Sequence, residues 1–97
     1  MDQIKKYKNH LVVYRRRRGL SQKEVARLLN DTSADMLSRY ECGYVLPPLP
    51  AALGLEIIYR VPAAFLFPNL YDELRHEIRA REEIGLNPGQ LPPIYAD

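Results

Sequence analysis

Cysteine is almost absent from this 97-residue chain, where Cys42 stands alone. One cysteine cannot close an intramolecular disulfide and supplies no metal-site spacing, which suits a reducing compartment. Histidine is nearly as scarce: His10 and His76 lie far apart, with no cysteine beside either and no cluster of ligands that reads as a metal site. No metal and no cofactor is expected. The glycines are not gathered into a loop that could cradle a phosphate, and no small-molecule ligand is evident. Ser21 and Ser33 each precede a helical pattern, so caps explain them better than nucleophiles do. With no catalytic constellation, the chain is not expected to be an enzyme. No apolar run approaches the ~20 residues needed to cross a bilayer, and the N-terminus is polar and basic. A soluble, cytoplasmic protein without a membrane partner is the expectation.

What is present is short-range helical order. Ser21 is a helix N-cap residue, and Glu24 can reach back to its N–H in a capping box. Val25, Leu28 and Leu29 then fall at i, i+3 and i+4, the spacing of one buried face. Thr32 or Ser33 caps a second short helix carrying Met36, Leu37 and Tyr40 inward. Its outward side would hold Ala34, Asp35, Ser38 and Arg39. Two helices this short cannot bury their faces alone, so they must pack on each other and on neighbours. A short polar helix face offered on a compact base fits a DNA major groove.

Charge points the same way. Residues 1–40 hold ten Lys/Arg against four Asp/Glu, a net of +6, whereas residues 41–97 hold four against eight, a net of −4. The basic half, with Lys5, Lys6, Lys8 and Arg15 to Arg18, is the half with the paired helices. Such clustering is the electrostatic footprint of a polyanion partner.

The series Arg15, Gly19-Leu20-Ser21-Gln22, Glu24-Val25-Ala26, Leu29, then Leu37-Ser38-Arg39-Tyr40-Glu41-x-Gly43 resembles the helix-turn-helix of phage-repressor-type (Xre/Cro-like) regulators. Pro47 or Pro48 follows, as in that family, and Leu55 to Val61 with Leu66-Phe67 extends the likeness over roughly residues 9–67. The resemblance implies that Gln22 binds the DNA backbone or orients the recognition helix. It also implies an ion pair between Arg15 and Glu41 that ties the first helix to the third. The turn Asn30-Asp31-Thr32-Ser33 is one residue longer than the family's, with Asn30 where Gly is typical. Asn tolerates the left-handed region, so such a turn is feasible.

The expected fold class is all-α: a five-helix repressor-like DNA-binding domain with a helix-turn-helix, plus a C-terminal helix and an extended tail. The first helix is placed from Ile4 to Arg18, with Tyr7, Leu11 and Tyr14 inward, and Gly19 ends it. Gly43 ends the third. A fourth helix spans Pro50 to Tyr59, burying Leu53, Ile57 and Ile58, and a short fifth from Pro62 brings Phe65 and Leu66 inward. Residues 1–67 form the DNA-binding domain. Asn69 caps an amphipathic helix over residues 68–84, with Leu70, Leu74 and Ile78 on one stripe. That helix either docks on its own domain or pairs with a second copy. Residues 85–97, with three prolines and no helical period, read as an extended or disordered tail.

The base-reading residues are expected to be Ser33, Ala34, Asp35, Ser38 and Arg39. Arg39 suits guanine O6 and N7, Asp35 suits cytosine N4, and Ala34 suits a thymine methyl. Asp35 also has a capping reading, through Thr32-x-x-Asp35. Arg18, Gln22, Lys23 and Tyr44 are expected at the DNA backbone. The apolar loop residues Val45, Leu46 and Leu49 either pack on the fourth helix or meet a partner. The expected function is that of a sequence-specific, homodimeric regulator of transcription, a repressor, on double-stranded DNA. The alternative is the same fold used as a protein-interaction module with only non-specific DNA affinity.

Overall fold

The computed structural model describes residues 7–85, and these form six helices joined by short turns. They are α1 (Leu11–Arg17), α2 (Gln22–Leu29), α3 (Ala34–Cys42), α4 (Leu49–Tyr59), α5 (Ala63–Leu66) and α6 (Pro68–Gly85). The expected start of the first helix at Ile4, the lysines 5 and 6 and residues 86–97 lie outside the described residues.

α1 is shorter than its pattern suggested. Tyr7 to His10 are not helical, because Asn9 directs the chain elsewhere. Its Oδ1 accepts the Leu11 N–H at 3.0 Å, while its Nδ2 donates to the carbonyls of Tyr7 and Tyr40, each at 2.9 Å. A single amide thus starts α1 and ties it to α3. Such local side-chain bonds compete with helix formation.

α1 and α3 both end as their glycines require. Gly19 (φ 68°) and Gly43 (φ 81°) take the left-handed conformation. The N–H groups of Gly19 and Leu20 return to the carbonyls of Arg16 and Arg15, and those of Gly43 and Tyr44 to Tyr40 and Arg39. Each is a Schellman closure that satisfies otherwise orphaned carbonyls.

The core joins Leu11, Val25, Leu37, Tyr40, Ala51, Leu55, Tyr59, Leu66 and Phe67. α2 packs on α3 and α4, α1 on α3, and α5 on α4 and α6. Gly54 permits the α2–α4 approach: a Cβ there would lie 2.5 Å from Leu29 Cδ2.

Three expectations about inward faces and one about a helix cap are corrected. On α2, Ala26 is buried and Leu28 is exposed. On α4, Leu53 and Ile57 face outward and Ala51, Leu55 and Tyr59 face inward, with Ile58 packed at the edge. α4 is apolar nearly all round, so its sequence contains no contrast from which to pick a face. On α5, Phe65 is exposed, and Leu66 and Phe67 are the core residues. Finally, Asn69 lies inside α6, which begins at Pro68 directly after Phe67 and runs to Gly85. Proline is tolerated there because a first-turn N–H has no helical partner in any case. Val45 and Leu46 pack on the core, whereas Leu49 is exposed.

Candidate nucleic-acid interface

Local chemistry presents α2 and α3 as a pair. The capping box forms at the start of α2: Ser21 Oγ accepts the Glu24 N–H at 3.1 Å, and Glu24 Oε1 accepts the Ser21 N–H at 2.8 Å. These bonds hold the Glu24 carboxyl below the usual carboxylate range. α3 is capped by Ser33, whose Oγ accepts the Met36 N–H at 3.1 Å. Of the two capping options, Ser33 is the one used, and its hydroxyl proton remains free to donate.

The turn between them is tight. Asn30 has φ 73° and ψ −45°, and Asp31 N–H donates to the Leu29 carbonyl at 2.9 Å. This is a γ-turn, so Asn30 takes a positive φ but not the left-handed helical well that its residue type suggested. The longer turn is accommodated by that kink.

A buried carboxylate fixes the orientation of α3. Glu41 is 7% exposed. It accepts from Arg15 Nε at 2.6 Å, from the second Arg15 nitrogen at 3.3 Å, and from Gln22 Nε2 at 2.8 Å. Arg15 also donates to the Leu20 carbonyl at 3.1 Å. The bond to Glu41 raises the Arg15 pKa further. One side chain therefore joins α1, α2 and α3. The third partner, Gln22, lies beside the expected ion pair, and its carboxamide oxygen stays available at the first turn of α2.

On α3, Leu37, Tyr40 and Glu41 are buried, and Met36 packs on the core. Ala34, Asp35, Ser38 and Arg39 are left on the outward side, Asp35 and Arg39 exposed and Ala34 and Ser38 half-buried. At i and i+4, Asp35 with Arg39 and Ala34 with Ser38 form two adjacent rows. Cys42 is exposed one turn beyond Ser38; helical spacing alone could have put it on this face. Lys23 is exposed in the first turn of α2, and Tyr44 is 41% exposed directly after the closure of α3.

The arginine run divides by task. Arg15 holds Glu41, and Arg17 stacks on the Tyr14 ring at 5.3 Å. Arg18 Nε donates to the Ile58 carbonyl at 3.0 Å, in the last turn of α4. Arg18 thus begins from a structural bond, with its terminal nitrogens free. Arg16 is exposed and makes no side-chain bond to any described residue.

Among the described residues, no group of His, Cys, Asp and Glu could hold a metal ion. No described helix is long and apolar enough to cross a membrane. No curated protein and no solved structure matches the chain. A family model described as helix-turn-helix does, over residues 13–66, which takes in the end of α1, the α2–α3 pair, α4 and α5. With that match over more than half its length, the chain belongs to the phage-repressor-type (Xre/Cro-like) helix-turn-helix family of DNA-binding regulators.

Proposed function

We propose that this protein is a sequence-specific transcriptional repressor that acts as a homodimer and places α3 in the DNA major groove. The observation that carries this reading is the division of α3. One side is locked into the core by Glu41 and its three hydrogen bonds, and the other offers only short side chains and one arginine. A base-reading helix needs that combination, because readout depends on a rigid placement of few donors. Arg39 pairs with a guanine, Asp35 accepts from a cytosine amine, and Ala34, Ser38 and the Ser33 hydroxyl fill the remaining contacts. Gln22, Lys23, Tyr44 and Arg18 hold phosphates on either side, Arg18 through its free terminal nitrogens. In a two-fold pair the two α3 helices would meet the duplex one turn apart, about 34 Å.

Salt dependence of binding tests this reading against use of the fold as a protein-interaction module. Phosphate contacts release counterions, so log K falls steeply and linearly with log salt. A duplex affinity that is immeasurable at low salt would remove the DNA reading altogether.

A further inference from the structure

We propose that two copies of this chain meet through the outer face of α4 and the stripe of α6, with α6 of each copy packed obliquely across α4 of the other. This deepens the reading above, since it assigns a surface to the homodimer.

α4 is the first reason. Between Leu49 and Tyr59 its single charged residue is Glu56, and Glu56 Oε1 is occupied by the Ala63 N–H at 2.9 Å. Opposite the buried Ala51, Leu55 and Tyr59 stand Leu49, Leu53 and Ile57, exposed to 69%, 48% and 74%. A helix that is apolar on every side is a helix covered on every side. Between Leu49 and Tyr59 the helix itself carries no lysine or arginine for a nucleic acid to use.

α6 is the second reason. None of its residues is buried, and of its apolar side chains Leu70 is the one packed on the core. Tyr71, Leu74 and Ile78 are each about half exposed. Its ion pairs, Asp72–Arg75, Glu77–Arg81 and Arg79–Glu82, are all within the helix and exposed. Such pairs contribute only a few tenths of a kcal/mol, too little to hold a helix of this length without packing.

The two uncovered faces are continuous. Leu49 and Leu74 line one apolar groove of about 350 Å³, floored by Ala52, Ala63 and Phe67. They also match in form. Leu49-Leu53-Ile57 and Leu70-Leu74-Ile78 are both i, i+4, i+8 ridges, and ridges of that kind interdigitate at crossing angles near −50°. One chain therefore carries both halves of a helix-on-helix contact, which a two-fold axis repeats. Leu49, Leu53, Ile57, Tyr71, Leu74 and Ile78 together offer on the order of 600 Å², most of the roughly 800 Å² per partner found in stable interfaces. That agreement favours a second copy over a short peptide.

Sedimentation equilibrium of the full chain without DNA tests the proposal, using Ile57→Lys, Ile78→Glu and their equimolar mixture. The wild type is expected to be a dimer at micromolar concentration. Each variant alone should raise the dimer dissociation constant at least about 30-fold, the loss of a buried interface anchor. In the proposed contact the two ridges run in the same direction, so that Ile57 of one copy meets Ile78 of the other. The mixture should therefore dimerise again, because a heterodimer brings the introduced lysine against the introduced glutamate in one contact and keeps the native isoleucine pair in the other. Leu53→Ser repeats the loss without a new charge, should the charged variants lose their helical circular dichroism. A monomeric wild type, its groove covered by residues 86–97 or by another protein, would overturn the contact. So would an Ile57→Lys dimer as tight as wild type, or a folded mixture that stays monomeric. With DNA absent, a monomer leaves the groove-reading role of α3 standing, and a dimer that selects no sequence does the reverse.

Discussion

Glu41 has three donors aimed at it and almost no solvent. Its pairing with Arg15 is a positional lock more than a source of stability, since desolvation offsets most of the attraction in a buried pair. Arg15→Met leaves a buried carboxylate with Gln22 alone and should cost about 3 kcal/mol. The double variant Arg15→Met/Glu41→Leu should cost less than that single change. Urea unfolding of the set decides the point, and additive losses would contradict it. Tyr59 is the other buried polar residue beside this network, 3% exposed and with no partner for its hydroxyl among the described residues. Tyr59→Phe should therefore leave stability unchanged or raise it by up to about 1 kcal/mol. Burial, with the Glu41 carboxylate adding and Arg15 opposing, pushes its ionisation well above the usual tyrosine value. A group with a raised folded pKa contributes stability that is complete below its unfolded pKa. That stability is lost as pH rises past about 10, where the unfolded chain ionises first. The wild type should destabilise above that pH, and Tyr59→Phe should flatten the decline.

At the scale of elements, non-glycine residues hold two positions that favour glycine. Asn30 at φ 73° makes the γ-turn, and Arg60 at φ 63° ends α4 in the left-handed conformation. Arg60→Gly should raise stability by about 1 kcal/mol, and Arg60→Val should lower it by a similar amount or more. Thermal unfolding reads both, and equal midpoints would show that the Arg18–Ile58 bond beside this turn, not its backbone, controls the end of α4. The elements that the sequence made legible carry local signals. The capping box of Ser21 and Glu24 and the glycines that close α1 and α3 could be read from residue types at fixed spacings, whereas the pair Arg15–Glu41, twenty-six positions apart, came only from the family resemblance. The face of α4 could not, because Leu53 and Leu55 are the same residue and only the tertiary surroundings separate them. The truncation of α1 was equally hidden: Asn9 clamps a carbonyl of α3, a partner thirty-one positions away in sequence. At the interface, the outward residues of α3 followed from helical spacing. The Gln22–Glu41 bond did not, since a glutamine at that place fits a phosphate contact as well as a protein one.

For the whole molecule, charge and shape agree. The basic half of the chain contains α1 to α3, and the half with net negative charge contains the uncovered apolar surfaces of α4 and α6. On the proposed reading, a duplex and a second copy take different parts of the chain. Short helices with contacts mostly between neighbours should also fold fast; stopped-flow refolding complete within milliseconds would agree with this, and a seconds-long main phase would not. The most direct test of the central claim is selection from a randomised duplex library at near-physiological salt, performed in parallel with the wild type and Arg39→Ala. The wild type should enrich a palindrome whose half-sites lie one helical turn apart. Arg39→Ala should lose about 1–3 kcal/mol on that site and relax one base position in each half, with the other positions kept. No enriched sequence for the wild type, or a loss for Arg39→Ala that is uniform across all sequences, would contradict base reading by α3.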